Sequence, residues 1–296
     1  MADTGAFDFE IKAIRRRHVD LAQHYALSPL TGPRHKGEVD REAKIAEATL
    51  KLIEQWRARV YALRAEGWER PTGKSLIYTL NCPPVGVLTN RQKLRPCNQY
   101  AVCPFCWCRR YVEETFNRLE NAYYGEERKQ PLKLDLVEVT TTERLPTDEW
   151  TLPLLFELIQ DHRADYLRNS LPNEGAFQLY SIEPPDSRSQ STVSRWKFQQ
   201  RILAMIDPVQ ETPSDKPDFQ GKKRVVHRHN GINRKTLGMA VGRACRYPKQ
   251  MMHGPKATVA EWLELKRNWG GGRSKGFRMS TFYGLLRKNW QGKREF

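Results

Sequence analysis

Four cysteines fall within twelve residues, Cys97, Cys103, Cys106 and Cys108 in the string CNQYAVCPFCWC, and no other feature restricts the fold as tightly. The segment Cys103-Pro-Phe-Cys106 reads as a knuckle, a tight turn that aims two thiolates at one point. Zinc takes about four N or S ligands in a tetrahedron, so a second pair must close the site. Cys97 is the near candidate for one place, and Cys82 or Cys108 for the other. Cys82 is preferred, because Cys106 and Cys108 are only two residues apart and would crowd the ion together with Cys103. Four thiolates leave no open position for substrate, so the expected Zn2+ is structural, and folding around it would tie the N-terminal third to the strands that follow. The competing reading is buried, reduced thiols or a C-x-x-C redox pair, which would want a cysteine at a helix N-terminus in a βαβ unit.

The charge balance narrows the partner. Fifty Lys and Arg oppose 34 Asp and Glu, a formal net charge of +16 over 296 residues. Such an excess concentrates polyanions, of which nucleic acid is the commonest. Membrane binding is not expected, since no amphipathic basic helix or lipidation signal is present. The opening MADTGAFDFE is acidic and lacks an apolar h-region, and no apolar run approaches about 20 residues, so the expected compartment is the cytoplasm. There, cysteines serve as metal ligands or inert thiols rather than disulfides.

Periodicity divides the chain into a helical N-terminal region (1–74), a zinc element with its following helix (75–125), an α+β core (126–269) and a basic C-terminal arm (270–296). Residues 38–66 read as one helix, from apolar residues at three- and four-residue steps. Short strands are expected at 75–80 and 85–88, and a helix at 109–122. LKLDLVEVTTT at 132–142 alternates apolar and polar residues and is the clearest half-buried strand. A helix at 149–170, strands at 176–183 and 198–206 joined by a loop at 184–194, a polar insertion at 208–222 and a strand at 224–229 follow. Helices are expected at 233–246 and 259–269. Helices interleaved with alternating strands predict an α+β fold: an antiparallel β-sheet with flanking helices.

Cys82, Cys97, Cys103, Pro104, Cys106, Trp107, Arg109 and Arg110, followed by LVEVTTT at 136–142 and FQLYSIE at 177–183, resemble the rolling-circle replication initiators of small plasmids and phages. These belong to the HUH endonuclease superfamily. The glycine-rich, basic stretch near the C-terminus extends the likeness, which covers residues 75–288. The resemblance implies an antiparallel sheet and a protein that nicks a single-stranded or hairpin DNA origin. It implies a catalytic Mg2+ or Mn2+ held by a His-hydrophobic-His strand, a tyrosine nucleophile that stays attached to the 5′ end, and a host helicase as a further partner.

The sequence departs from that pattern at both catalytic elements. After Trp196, Gln199 and Arg201 occupy the alternate positions where the histidines belong. A glutamine ligates metal weakly, whereas an arginine brings a permanent positive charge in place of the ion. The only His-x-His is His227-Arg-His229, on a later strand, which supplies either a divalent-cation pair or a phosphate-contacting edge. Tyr247, ahead of Lys249, is the nucleophile candidate, with Arg243, Arg246 and Lys249 expected to lower its phenol pKa. Pro248 is a departure there, because it ends the helix. Glu183, closing its strand, is a third metal-ligand candidate or the partner of an arginine.

Nucleic-acid contacts are expected from Arg109, Arg110, Arg243 and Arg246, and from Arg273, Lys275, Arg278 and Arg287 in the C-terminal arm. There cations alternate with Phe277, Phe282, Tyr283 and Trp290, a combination suited to single strands. Two further readings stand beside a nicking initiator: a zinc-dependent DNA- or RNA-binding module that kept the scaffold without its catalysis, and a structural partner within a nucleoprotein complex. The chain has no G-x-x-x-x-G-K-[ST] loop for driving unwinding with ATP.

Overall fold

A computed structural model of the chain describes residues 19–23, 25–27, 54–62, 103–125, 132–146, 173–183, 195–211, 223–247 and 280–288. The expected strands at 75–80 and 85–88, the helices at 149–170 and 259–269 and the loop at 184–194 lie outside these residues, as does all but 54–62 of the helix at 38–66. The described part of that helix is helical.

Five strands form one antiparallel sheet: β1 (Asp135–Pro146), β2 (Gly175–Glu183), β3 (Arg195–Ile206), β4 (Lys223–His229) and β5 (Ser280–Gly284). Their order across the sheet is β4-β1-β3-β2-β5, so β3 is central. The α+β expectation therefore holds at the level of an antiparallel sheet with flanking helices.

Period-two alternation sorts the side chains onto two faces. On one, Val137, Val139, Ile202, Ala204 and Ile206 join Ala176 in a small apolar cluster. On the other, Leu136, Leu203, Met205, Phe177 and Leu179 merge with the helices into the main core.

The helical layer begins at the cysteine knuckle. Helix α1 (Pro104–Trp107) has proline in its first turn, where the missing N–H costs nothing, and Cys103 as its N-cap. A π-helical turn, Cys108–Glu113, runs on into α2 (Glu114–Tyr124), whose Phe116, Leu119 and Tyr123 are buried at three- and four-residue steps. Helix α3 (Arg234–Ala244) repeats the pattern with Leu237, Ala240, Val241 and Ala244. Asn233 starts α3 by accepting the Thr236 N–H at 2.8 Å. At Gly242 the helical residues 19–23 approach α3 so closely that an added Cβ would stand 2.5 Å from the Ala22 carbonyl oxygen.

One boundary is corrected. Residues 280–288, expected in a basic arm, instead supply edge strand β5, paired to β2, and helix α4 (Leu285–Lys288). Phe282 stacks on Phe177 with ring centroids 5.0 Å apart, and Arg118 lies 4.1 Å over the Phe282 ring while donating to the Leu286 carbonyl at 2.8 Å. Gly284 allows the turn between them, at φ 54° and against the Glu174 carbonyl. The remaining arm residues, including Arg273, Lys275 and Arg278, lie outside the described residues.

Candidate nucleic-acid interface

The face of the sheet beneath α2 and α3 carries the sequence-predicted residues in two places. On central β3, Gln199 and Arg201 sit at alternate positions as expected, opposite Ser181 and Leu179 of β2. Arg201 is buried at 6% exposure. Its guanidinium donates to Gln199 Oε1 and, at 3.1 Å, to the Arg246 carbonyl. The oxygen that Gln199 would offer a divalent cation is thus already taken by a cation that cannot leave. These residues do not fit a catalytic Mg2+ or Mn2+.

The Arg246 carbonyl places Tyr247 beside this pair, but in a closed setting. Its N–H donates to the Ala26 carbonyl at 2.9 Å, and its ring, 1% exposed, meets Trp107 edge-on at 5.7 Å. Burial pushes the phenol pKa well above its ordinary value, with Cys103 and Cys108 adding to the rise and Arg59 opposing it. The expected lowering by nearby arginines is therefore corrected. Arg243 is turned towards Glu138, and Arg246 is exposed. Lys249 is outside the described residues. Glu183 occupies the register position opposite Lys197, two residues along from the Ser181–Gln199 pair.

The second place is the β4 edge, where a residue that sequence reasoning missed organises the site. Glu138 lies on β1 directly opposite His227, on the same face as His229. Only 4% exposed, its Oε2 accepts from Arg243 Nε at 2.9 Å and stands 3.6 Å from His229 Nε2. Burial alone would raise the Glu138 pKa, but the His229 contact and the Arg243 guanidinium outweigh it and hold the carboxyl below its ordinary value. Arg243 also reaches His229 Nε2 at 3.1 Å. His227, Arg228, His229, Val226 and Arg243 line a shallow depression of about 380 Å3. Two strand spacings of about 4.8 Å separate the β4 histidines from β3, so the histidines and Gln199 do not share one site.

Arg228, between the two histidines, points to the opposite face. It grips Asp135 at 2.7 Å and the Gln210 and Pro208 carbonyls at 2.7 and 2.6 Å, fastening the turn after β3. Of the other expected contact residues, Arg110 pairs with Glu114 at 2.8 Å while remaining half exposed, Arg109 is partly exposed, and Arg287 is exposed.

Half of the expected zinc set is visible. Cys103 and Cys106 are buried at the start of α1, three residues apart and so on one helical face. Cys82 and Cys97 lie outside the described residues, among which no three Cys, His, Asp or Glu side chains gather as a metal site. Cys108, the alternative fourth ligand, is buried at the start of the π-helical turn, where burial, then repulsion from Cys245, Glu113 and Cys106, pushes its thiol well up. Cys245 donates its thiol to the Tyr111 carbonyl at 3.3 Å, and burial pushes it up to about 12 against a lowering bond from Thr115. Trp107, directly after the knuckle, donates to the Cys245 carbonyl at 2.7 Å and so fastens the chain entering Tyr247. Cys103 does stand at a helix N-terminus, as the redox reading wanted, but the described sheet is antiparallel and contains no βαβ unit.

No family model, curated protein or solved structure matches the chain. No helix among the described residues is long and apolar enough to cross a membrane.

Proposed function

We propose that the chain is a DNA-binding protein built on the scaffold of a replication initiator, with a guanidinium standing where the initiators hold a divalent cation. The observation that carries this reading is Arg201. It is central in the sheet, buried, permanently charged and bonded to both Gln199 and the carbonyl that precedes Tyr247. The net charge of +16 supplies attraction for phosphates, and Arg246, Arg287 and Arg110 offer exposed cations. The Cys82/Cys97/Cys103/Cys106 zinc staple is part of this proposal, as the element that fixes Trp107 against Tyr247.

Anisotropy of a labelled single-stranded or stem-loop oligonucleotide, titrated with the full chain at several NaCl concentrations, tests the reading. With about four phosphates neutralised, the log–log slope for a single strand should be about −3. Salt-insensitive or absent retention would remove DNA as the partner.

A second reading, the active nicking initiator, draws support from the place of Tyr247, one residue from the Arg201 contact on central β3. It requires the segment 245–247 to leave Trp107 and expose the phenol. A 5′-phosphotyrosine adduct that disappears in Tyr247→Phe would establish it.

A further inference from the structure

We infer that the depression at the β4 edge is a phosphodiester-binding notch, built from Arg243, His229 and His227 and pre-set by the buried carboxylate of Glu138. The inference deepens the DNA-binding reading and rests on it for the identity of the ligand.

The argument turns on the nitrogen that His229 shows to Arg243. Arginine can only donate, so in the neutral ring the His229 Nε2, at 3.1 Å, accepts from it. In the protonated ring the same nitrogen turns its N–H to Glu138 Oε2, 3.6 Å away, and in either form Nδ1 carries a proton. With the Nε2 lone pair engaged, the neutral ring carries its proton on Nδ1 and becomes a donor there. The lone pair that a metal would need is no longer available. Among the described residues no third ligand joins Glu138 and His229 either.

Among the described residues, the donors that remain have no protein acceptor. Arg243 uses Nε on Glu138 and Nη2 on His229, which leaves Nη1 with no bonded partner among the described residues. His229 Nδ1–H and the exposed His227 ring are in the same condition, and all three residues line one depression. A set of N–H donors held in place around an open hollow is complementary to an oxyanion. In a protein that tracks a nucleic-acid strand, that oxyanion is a backbone phosphodiester. Glu138 acts as a positioning residue, holding the guanidinium so that its outer edge faces the hollow.

The test uses the full chain and two probes at neutral pH. Imidazole 15N spectra should show His229 protonated at Nδ1. Dimethyl phosphate should shift the His227 and His229 signals in the wild type and leave them unmoved in Arg243→Gln. Affinity for a labelled single-stranded oligonucleotide should fall roughly tenfold in Arg243→Gln and about threefold in His227→Ala, with the salt slope reduced by about one in Arg243→Gln. Lys235→Gln, an exposed change on the same helix, should stay within about twofold of the wild type. Because His227 is exposed, His227→Ala remains informative should Arg243→Gln unfold around an unpaired Glu138. Equal affinities in His227→Ala, Arg243→Gln and the Lys235→Gln control would overturn the notch, leaving DNA binding intact. So would imidazoles that respond to Zn2+ or Mn2+ and ignore the diester. A diester response in a protein that fails to retain any oligonucleotide would uphold the notch and defeat the broader DNA-binding reading.

Discussion

Two arginines on one face of one sheet are put to opposite uses. Arg201, at the sheet's centre, gives its donors to Gln199 and the Arg246 carbonyl and is sealed in. Arg243, from α3, gives part of its fork to Glu138 and His229 and keeps the rest at an open hollow. The difference follows from strand order. Beneath two helices the central strand meets only protein, so a charge there must be paired internally. At an edge strand, water and ligands can reach the same chemistry. A sheet of this kind can keep its middle for stability and use its margin for recognition.

Perturbing the closed centre should cost the most. Trp107→Ala removes a wholly buried indole, its bond to the Cys245 carbonyl and its packing on Tyr111 and Tyr247. Urea unfolding should report a loss of about 3–5 kcal/mol. Arg201→Met leaves Gln199 Oε1 and the Arg246 carbonyl without their donor, and about 1–3 kcal/mol should be lost by the same measurement. If Arg201→Met proved neutral, the centre would not depend on its charge and the contrast with Arg243 would fail. Gly242→Ala tests the seam where Ala22 and Tyr25 meet α3. The clash with the Ala22 carbonyl should cost about 1–3 kcal/mol, with proteolysis near residue 27 accelerated.

The edge should respond to pH more than to truncation. The Glu138 carboxyl is held below its ordinary pKa, so it binds protons less readily folded than unfolded. Its contribution is present above the ordinary carboxylate pKa and is lost as pH falls through the lowered folded value. Acid unfolding of Glu138→Gln should therefore show a shallower low-pH limb than the wild type. An unchanged limb would mean that Glu138 is not held by Arg243 in solution. The smallest effect belongs to the interior thiols. Cys108 and Cys245, pushed up by burial, should react with a disulfide reagent only at the rate of unfolding.

Much of this contrast could be read from residue order, and the unread parts share a cause. The alternation in LVEVTTT announced β1, and Asn233 with the LxxAVxxA spacing announced α3, because local periods report local structure. Glu138 escaped because a carboxylate in a half-buried strand is ordinarily assigned to the solvent side. Here both faces of β1 are covered, so its carboxylate is inside. An acidic residue inside a β-branched run, with a His-x-His strand free to pair beside it, was the available signal. Strand β5 was hidden by its glycine-rich, basic flanks, since pairing to β2 is a long-range fact that five residues cannot declare alone. The pKa of Tyr247 was misread for a similar reason. The arginines near it in sequence lie beside Glu138 or solvent, while Trp107, from 140 residues earlier, covers its ring.

The sharpest single test compares oligonucleotide affinity with no added divalent salt and with millimolar Mn2+, at matched ionic strength. With guanidinium groups in the metal's place, the two affinities should agree and the strand should remain uncut. Retention that appears only with Mn2+, followed by cleavage, would contradict the account at its centre.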